Sequence, residues 1–166
     1  GPRDAIVSTT GMISRELYEL RERNKQSHAQ DFLNVGAMGH ASSIALGIAL
    51  AKPRWRVVCL DGDGALIMHM GALAIIGSRA PKNLMHIVFN NGAHDSVGGQ
   101  PTAAFHADLP AVARACGYAV ALRADTLSHI KERMIELCVA SGPAFLEIRI
   151  AQGARKDLSR PPRDLA

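Results

Sequence analysis

Two short apolar runs in this 166-residue sequence each end in polar residues whose chemistry suits a metal ion. The run at residues 57–60 leads to a Gly-Asp-Gly triplet centred on Asp63, and the run at residues 86–89 leads to Asn90 and Asn91. Because neighbouring parallel strands end at the same edge of a sheet, we expect these side chains to converge. Carboxylate and amide oxygens suit Mg²⁺ or Ca²⁺ bound to phosphate, and glycines let backbone N–H groups approach an anion. The pattern therefore predicts a site for a metal-bound diphosphate.

Each of the two motifs also has a simpler structural interpretation. An aspartate between glycines is typical of a helix N-cap, and Asn90-Asn91-Gly92 is typical of a turn. Their joint occurrence after two successive apolar runs favours the diphosphate and metal interpretation. A dinucleotide-binding fold is disfavoured, because Gly11 stands alone after the first apolar run and no G-x-G-x-x-G motif follows.

Short apolar runs alternate with helical patterns along the whole chain. They predict strands at residues 5–8, 57–60, 84–89, 118–122 and 144–150, and helices at residues 14–23, 41–51, 65–76, 110–116 and 127–140. Ser14 is the expected N-cap of the first helix, the small apolar helix at 41–51 is expected to be buried on all sides, and residues 90–102 are expected to form a functional loop. The alternation predicts an α/β fold, a single domain with a parallel β-sheet and helices on both faces.

We assign residues 4–152 to this domain, residues 1–3 to a terminus that begins with a protease-cleavage remnant, and residues 153–166 to a surface tail. Cys59, Cys116 and Cys138 form no metal or disulfide pattern, which predicts buried free thiols and a cytoplasmic location. No apolar run is long enough for a membrane span. The net charge of +4 comes largely from scattered basic residues, so nucleic-acid binding is not expected.

The spacing of the two motifs resembles the signature of thiamine-diphosphate-dependent enzymes. Further stretches, from about residue 4 to residue 158, resemble phosphonopyruvate decarboxylase. The resemblance to the β subunit of sulfopyruvate decarboxylase comes second. The stretches that carry this resemblance are Ser8-Thr9-Thr10-Gly11, Ser14-Arg15-Glu16-Leu17, Asp31-Phe32-Leu33, Gly36-Ala37-Met38-Gly39-His40-Ala41 and the segment from Asn90 to Thr102. The resemblance covers the C-terminal, diphosphate-binding half of the phosphonopyruvate enzyme.

The resemblance implies roles for individual residues. Asp63, the Asn91 side chain and the Ala93 carbonyl would bind Mg²⁺. The residues implied to contact thiamine diphosphate are Thr10, Gly11, Gly36, Met38, Gly62, Asp63, Gly64, Ala65 and Asn91. Among them, the Gly36 carbonyl would meet the aminopyrimidine, and Met38 would hold the cofactor in its bent conformation. Met12 stands where the family usually has a polar residue, so the resemblance does not supply the diphosphate contact expected at that position.

The substrate implied by the resemblance is a small anionic 2-oxo acid, phosphonopyruvate in the first instance and sulfopyruvate as the alternative. The residues expected on the substrate side of the site are His40, His94, Asp95 and Gln100. Gly98 and Gly99 could present N–H groups to a phosphonate or sulfonate. Which 3-substituted pyruvate is used does not follow from the sequence.

The glutamate that activates the cofactor in this superfamily lies on a separate pyrimidine-binding domain or α subunit, to which nothing in this chain is similar. We therefore expect a homodimer in isolation, a heterotetramer or larger assembly with the partner, and catalysis only in the mixture. Met68, Met70, Leu73 and Ile76 are the residues expected to face a second chain. A non-catalytic thiamine diphosphate-binding module is the alternative from a different functional class.

Overall fold

A computed structural model describes residues 3–161 of the chain. The eight strands are β1 (Asp4–Ser8), β2 (Asp31–Leu33), β3 (Arg56–Gly62), β4 (Leu84–Asn90), β5 (Ala93–His94), β6 (Gln100–Pro101), β7 (Val120–Ala124) and β8 (Ala144–Arg149). The six α-helices are α1 (Met12–Arg23), α2 (Ala41–Ala51), α3 (Asp63–Met68), α4 (Ala72–Arg79), α5 (Leu109–Ala115) and α6 (Leu127–Cys138).

Six strands form one sheet in the order β2-β1-β3-β4-β8-β7, and every pair in it is parallel. The central strands β4 and β8 are buried along almost their whole length, as expected for parallel strands covered on both faces. In the pairing of β3 with β4, Cys59 lies beside His86 and Gly62 beside Phe89. The predicted α/β fold with a parallel sheet is therefore confirmed.

Helices cover both faces of the sheet. Side chains of α2, α4 and α5 pack with one face of the sheet in the larger core, whereas α6 packs on the other face in a second apolar cluster. Two helices begin at side-chain caps, because Asp108 accepts a hydrogen bond from the Ala111 N–H (3.3 Å) and Thr126 accepts one from the His129 N–H (3.2 Å). These packing arrangements fix the strand ends that carry the predicted site.

Several element boundaries differ from the predictions. The expected helix at 65–76 is two helices, because the chain turns at residues 69–71 and α4 begins after Gly71. The expected strand at 118–122 begins at Val120, because Tyr118 instead lies in the core with its hydroxyl 3.1 Å from His86 Nδ1. The loop at 90–102 contains the antiparallel pair β5 and β6 and a short 3₁₀ turn between them.

The start of α1 also differs, since Ser14 lies inside the helix instead of capping it. Gly11 takes the N-cap position with a φ of 101°. The Ser14 hydroxyl donates to the Thr9 carbonyl at 2.6 Å and lies 2.7 Å from the Ser8 hydroxyl. Ser14 therefore ties α1 to the end of β1, next to the predicted site.

Three burial predictions are wrong, namely those for the whole surface of α2, for Cys116 and for Cys138. Ser43, Gly47 and Leu50 leave one side of α2 exposed, because the helix contacts the sheet on only one side. Cys138 is exposed and Cys116 is half-buried, so only Cys59 is the buried thiol expected, and burial raises the pKa of Cys59.

Two of the four side chains expected to face a second chain point instead into the core of the domain. Leu73 and Ile76 are fully buried, whereas Met68 is 55% exposed. The break between α3 and α4 reorients the second helix and turns its apolar side inwards. Met68 and Ile75, which is 56% exposed, are the large apolar side chains that this segment leaves on the surface.

Residues 153–161 run along the surface beside α1; the rest of the expected tail, like Gly1 and Pro2, lies outside the described residues. The Glu19 carboxylate accepts hydrogen bonds from Arg155 Nη2 (2.6 Å), the Ser159 N–H (2.8 Å) and the Ser159 hydroxyl (3.0 Å). The Arg155 hydrogen bond, followed by those from Ser159, lowers the pKa of Glu19 to about 2.

We expect this segment to stay attached to α1 when the pH falls through the usual glutamate pKa of about 4.3, and to be released only as the pH approaches 2. The sign follows from the lowered pKa, because the ionised form of Glu19 makes the contacts and is retained to lower pH in the folded state. The chemical shift of the Ser159 amide in a pH titration measures this. Glu19→Gln should weaken the attachment of the segment already at neutral pH, with the Arg155–Glu16 ion pair left in place, whereas Glu22→Gln in the same helix should not. A change in the Ser159 amide chemical shift with a midpoint near pH 4.3 would contradict the expectation.

Within residues 3–161, no helix combines the length and the apolar character needed to cross a membrane.

Candidate functional site

A cleft lies at the carboxyl edge of the sheet, where β1, β3 and β4 end. The structure brings ten of the predicted site residues to its lining: Thr10, Met38, Gly62, Asp63, Gly64, Ala65, Asn91, Ala93, His94 and Asp95. We call this surface the cofactor cleft. Because the register of β3 and β4 sets Gly62 beside Phe89, the segments that follow the two strands meet at this cleft.

Asp63 is the central acidic group of the cofactor cleft. Its side chain is buried, and its Oδ2 accepts a hydrogen bond from the Thr102 hydroxyl at 2.5 Å. Burial raises the pKa of Asp63, although hydrogen bonds from Thr102 and from the backbone N–H groups of Gly64 and Asn91 partly oppose this rise. A buried carboxylate of this kind gains from a bound cation, which makes Asp63 suited to hold a metal ion.

Asn91 shapes the other side of the cofactor cleft. Its Oδ1 accepts a hydrogen bond from the Ala93 N–H at 3.0 Å, and its Nδ2 donates to Asp95 Oδ2 at 2.7 Å. An amide oxygen has two lone pairs, so one remains for a metal ion. The same Asp95 oxygen accepts a hydrogen bond from the Gly153 N–H at 2.7 Å. Asp95 thus holds the Asn91 loop against the segment that follows β8.

Two further features fit a bound anion with its metal ion. Thr9 lines the cofactor cleft, and its hydroxyl is buried and has no hydrogen-bond partner among the described residues. A β-carbon at Gly64 would overlap the imidazole ring of His94, so the ring lies directly against the backbone of the Gly-Asp-Gly turn. The orphaned donor suits a diphosphate with a divalent cation, and the His94 ring, which fills the space beside Gly64, would lie next to that group.

A second depression, which we call the side groove, adjoins the cofactor cleft and shares Thr10, Met38 and Ser96 with it. Gly11 and Gly36, both predicted to contact the cofactor, line the side groove. The Gly36 N–H donates to the Thr10 hydroxyl at 3.1 Å, which joins the loop after β2 to the loop after β1. Met38 stands at the junction of the two depressions, where an apolar wedge would separate them.

His40 and Gln100 are not brought to the cofactor cleft or the side groove. His40 is exposed at the N-terminus of α2, with its Nδ1 3.2 Å from the Ala37 carbonyl oxygen and its ring 4.3 Å from that of His69. Gln100 is exposed on β6, where its amide lies beside Gly98. Neither side chain lines the surface on which the other predicted site residues meet.

Sequence reasoning missed Thr9 and Thr102. Both are hydroxyl residues in loops that the motifs had already marked, yet only the fold shows that Thr102 returns to Asp63 and that the Thr9 hydroxyl is orphaned among the described residues. A hydroxyl close in sequence to the glycine of a suspected diphosphate loop is the signal that could have pointed to Thr9.

A buried polar network beneath the cofactor cleft was also missed. Glu147 is fully buried; its Oε1 accepts from Asn90 Nδ2 at 2.7 Å and its Oε2 accepts from Arg123 Nε at 2.6 Å. Asn90 Oδ1 in turn accepts from the Gly92 N–H at 3.0 Å. Asn90 is therefore a support for the loop that carries Asn91, and this role depends on a partner 57 residues away in sequence.

Cys59, Asp61 and His86 form a second buried group of potential metal ligands. The His86 ring, however, lies between the Asp61 carboxylate (3.3 Å) and the Tyr118 hydroxyl (3.1 Å), and Asp61 also accepts from the Gly62 N–H at 2.9 Å. Because these polar groups already have partners, the group is a hydrogen-bonded part of the core. It also fixes the end of β3 next to the cofactor cleft.

The family model for the thiamine pyrophosphate enzyme C-terminal TPP-binding domain matches residues 9–148, and the chain belongs to this family. Phosphonopyruvate decarboxylase of Streptomyces viridochromogenes is 46% identical over 161 residues, which cover 96% of this chain and 39% of that protein. The enzyme of the same name from Streptomyces hygroscopicus is 44% identical over 96% of this chain and 38% of its own length. The chain thus spans about two fifths of the length of these relatives.

The β subunit of sulfopyruvate decarboxylase from Methanothermobacter thermautotrophicus is 35% identical over 90% of this chain and 75% of that subunit. A Mycobacterium smegmatis protein solved by X-ray crystallography, described as a thiamin diphosphate-dependent enzyme, superposes with a TM-score of 0.73 over 92% of this chain and 29% of its own. At 20% identity this likeness shows the fold alone. The predicted family resemblance is confirmed.

Proposed function

We propose that this chain is the diphosphate- and metal-binding part of a thiamine-diphosphate-dependent decarboxylase that converts phosphonopyruvate to phosphonoacetaldehyde and CO₂. The observation that carries the proposal is the cofactor cleft, where the buried Asp63 carboxylate, the Asn91 amide and the Gly64 backbone meet at one edge of the sheet. Relatives named phosphonopyruvate decarboxylase, at 44% and 46% identity, support the choice of substrate.

In this proposal Asp63, the Asn91 side chain and the Ala93 carbonyl hold Mg²⁺, and the metal ion holds the diphosphate. The N–H groups of Gly64 and Ala65, together with Thr10 and Gly11, contact the diphosphate. The Thr9 hydroxyl, which has no partner among residues 3–161, adds a donor on the same side of the cofactor cleft. A divalent cation between a buried carboxylate and a diphosphate offsets the charge of both, which is the usual role of magnesium beside phosphates.

Thiamine diphosphate supplies the electron sink for the carbanion that a 2-oxo acid leaves when it loses CO₂. The chain's own residues would bind and orient the reactants. Met38 and Gly36 would support the bent cofactor at the junction of the cofactor cleft and side groove. His94, whose ring lies against Gly64, is the group proposed to exchange protons with the substrate. Asp95 would position the loop through Asn91 and Gly153.

The pyrimidine-binding part that supplies an activating glutamate is proposed to come from another domain or an α subunit. The relatives named as β subunits are parts of proteins with more than one kind of subunit, and one of them resembles this chain over three quarters of its length. The exposed Met68 and Ile75 offer apolar surface for such an assembly. His40 and Gln100, which lie outside the cofactor cleft in this chain, stay candidates for contacts completed by the partner.

Sulfopyruvate decarboxylation is the alternative function, favoured by one observation. The β subunit of sulfopyruvate decarboxylase from Methanothermobacter thermautotrophicus is 35% identical over 90% of this chain. The two substrates differ in the distal anion, a phosphonate or a sulfonate, and loss of CO₂ leaves an acetaldehyde that carries this anion on carbon 2.

We expect decarboxylation of phosphonopyruvate only when the chain is mixed with a pyrimidine-binding partner, because the activating carboxylate is proposed to lie on the partner. Aldehyde formation from phosphonopyruvate and from sulfopyruvate, measured for the chain, the partner and the mixture, tests this. Light scattering should show at least a homodimer for the chain alone and a larger complex with the partner. Turnover by the chain alone, a stable monomer, or equal inactivity of the mixture towards both acids would contradict the proposal.

A further inference from the structure

The side groove carries positive charge from two arginines, neither of which is among the residues proposed to contact the cofactor. Arg15, on the first turns of α1, and Arg160, on the segment beside it, both line this groove together with Gly36 and Met38. Among the residues between 3 and 161 that line it, none is an aspartate or a glutamate. The Ser159 N–H and hydroxyl, hydrogen-bonded to Glu19, keep Arg160 close to α1.

Neither guanidinium forms an ion pair with any residue in the range 3–161. Other arginines of the same surface do so: Arg21 pairs with Asp31 at 2.9 Å, and Arg155 with Glu16 at 3.0 Å and Glu19 at 2.6 Å. Two guanidinium groups that have no ion pair within the described part of the chain repel each other in one depression, and an anion between them removes that cost. The side groove is therefore suited to an anionic group, and the proposed metal ligands Asp63 and Asn91 line the cofactor cleft but not this groove.

We propose that Arg15 and Arg160 form the subsite that binds the distal anion of the substrate, the phosphonate group of a 3-phosphono-2-oxo acid. This inference rests on the proposed function, because the side groove adjoins the cofactor cleft through Thr10, Met38 and Ser96. A substrate whose 2-oxo group lies at the Met38 junction would place its distal end in the side groove. The subsite thereby selects substrates by the group at carbon 3.

The charges favour phosphonate over sulfonate. The guanidinium fork donates two parallel hydrogen bonds to tetrahedral oxyanions, and both phosphonate and sulfonate offer the oxygens. A phosphonate can ionise twice, and two nearby guanidinium groups favour the doubly ionised form, whereas a sulfonate carries one negative charge. Two guanidinium groups neutralise the dianion fully. The side groove thus supports phosphonopyruvate as the substrate.

The test uses phosphonoacetate, which has the carboxylate and phosphonate of the substrate but no reactive carbonyl group. Calorimetric titrations of the chain with phosphonoacetate, with and without thiamine diphosphate and Mg²⁺, should show binding that Arg15→Gln weakens at least about tenfold. Arg15→Lys should recover part of the affinity, because lysine keeps the charge but not the fork. Arg23→Gln is the matched control, since this exposed arginine lies eight residues further along α1, about 12 Å away.

Further probes separate the sources of the anion. Malonate, sulfoacetate and inorganic phosphate should bind more weakly than phosphonoacetate, and Arg15→Gln should leave the affinity for thiamine diphosphate with Mg²⁺ unchanged. Equal phosphonoacetate affinity in wild type and Arg15→Gln, or no binding by the wild type, would overturn the inference. It would also be overturned if Arg15→Gln weakened cofactor binding as much as phosphonoacetate binding, because Arg15 would then serve the diphosphate.

Failure of the proposed function gives a different result from failure of this inference. If the wild-type chain does not bind thiamine diphosphate with Mg²⁺, the proposed function fails. The phosphonoacetate titrations of the cofactor-free chain still decide the subsite, because both arginines that line the side groove belong to this chain.

Discussion

Replacing Asp63 with alanine is expected to abolish Mg²⁺-dependent binding of thiamine diphosphate, a loss of more than about 100-fold in affinity. Asp63 is the one charged protein ligand among the proposed metal contacts, and the Asn91 amide and Ala93 carbonyl are neutral. Without the carboxylate, Mg²⁺ loses its ionic partner in the cofactor cleft, and the diphosphate loses its bridge to the protein. Calorimetry with cofactor and Mg²⁺ measures the loss, and wild-type affinity in the variant would place the metal site elsewhere.

Asp63→Asn separates the charge from the shape of this side chain. The amide oxygen can still accept the Thr102 hydrogen bond, so the loop is retained while the charge is removed. We expect the same loss of Mg²⁺-dependent binding. Burial raises the pKa of Asp63, so the ionised carboxylate lowers the stability of the metal-free fold at neutral pH. The metal-free Asp63→Asn variant should therefore melt at a temperature no lower than that of the wild type.

Gly77→Ala is expected to lower the free energy of unfolding by about 3 kcal/mol or more. A β-carbon at Gly77 would overlap the carbonyl oxygen of Cys116 and lie 2.6 Å from its carbonyl carbon. These are backbone atoms of the turn after α5, which cannot rotate away as a side chain can. Urea unfolding monitored by circular dichroism measures the change as a shift of the midpoint.

Gly71→Ala is the matched control for this substitution. Gly71 immediately precedes the same helix and has a φ of −56°, and a β-carbon added to it would meet no neighbouring atom of the described chain within 4 Å. We expect its unfolding free energy to stay within about 0.5 kcal/mol of the wild-type value. A wild-type midpoint for Gly77→Ala would show that α4 and the turn after α5 can move apart.

Local patterns were sufficient to place five of the six strands of the parallel sheet along the chain, all but β2, and to predict the edge of the sheet where the site forms. The apolar runs before Asp63 and Asn90 became β3 and β4, because central parallel strands are buried on both faces and retain an uninterrupted apolar signal. Their polar ends were therefore predictable as neighbours. The family resemblance supplied the residue roles, which no pattern of spacing could have supplied.

The features that the sequence could not reveal depend on contacts between distant segments. Serine is a common N-cap residue, but the Ser14 hydroxyl instead donates to the Thr9 carbonyl and lies within hydrogen-bond distance of the Ser8 hydroxyl at the end of β1. Leu73 and Ile76 would form an unpartnered apolar side only if residues 65–76 were one continuous helix. The supporting role of Asn90 required its buried partner Glu147, which belongs to another strand.

The hydrogen bond from the Gly153 N–H to Asp95 has a consequence for where this domain can be divided. Gly153 lies just beyond the 4–152 boundary expected from composition, yet it shares one carboxylate oxygen with Asn91 of the cofactor cleft. Shortening the protein at residue 152, or joining another protein there, would therefore alter the loop that is proposed to bind the metal ion. A fusion or a truncation should therefore be placed after residues 153–161, the segment that contacts Glu19 on α1. A protein that keeps the proposed metal-binding loop intact must extend beyond the sheet and its helices.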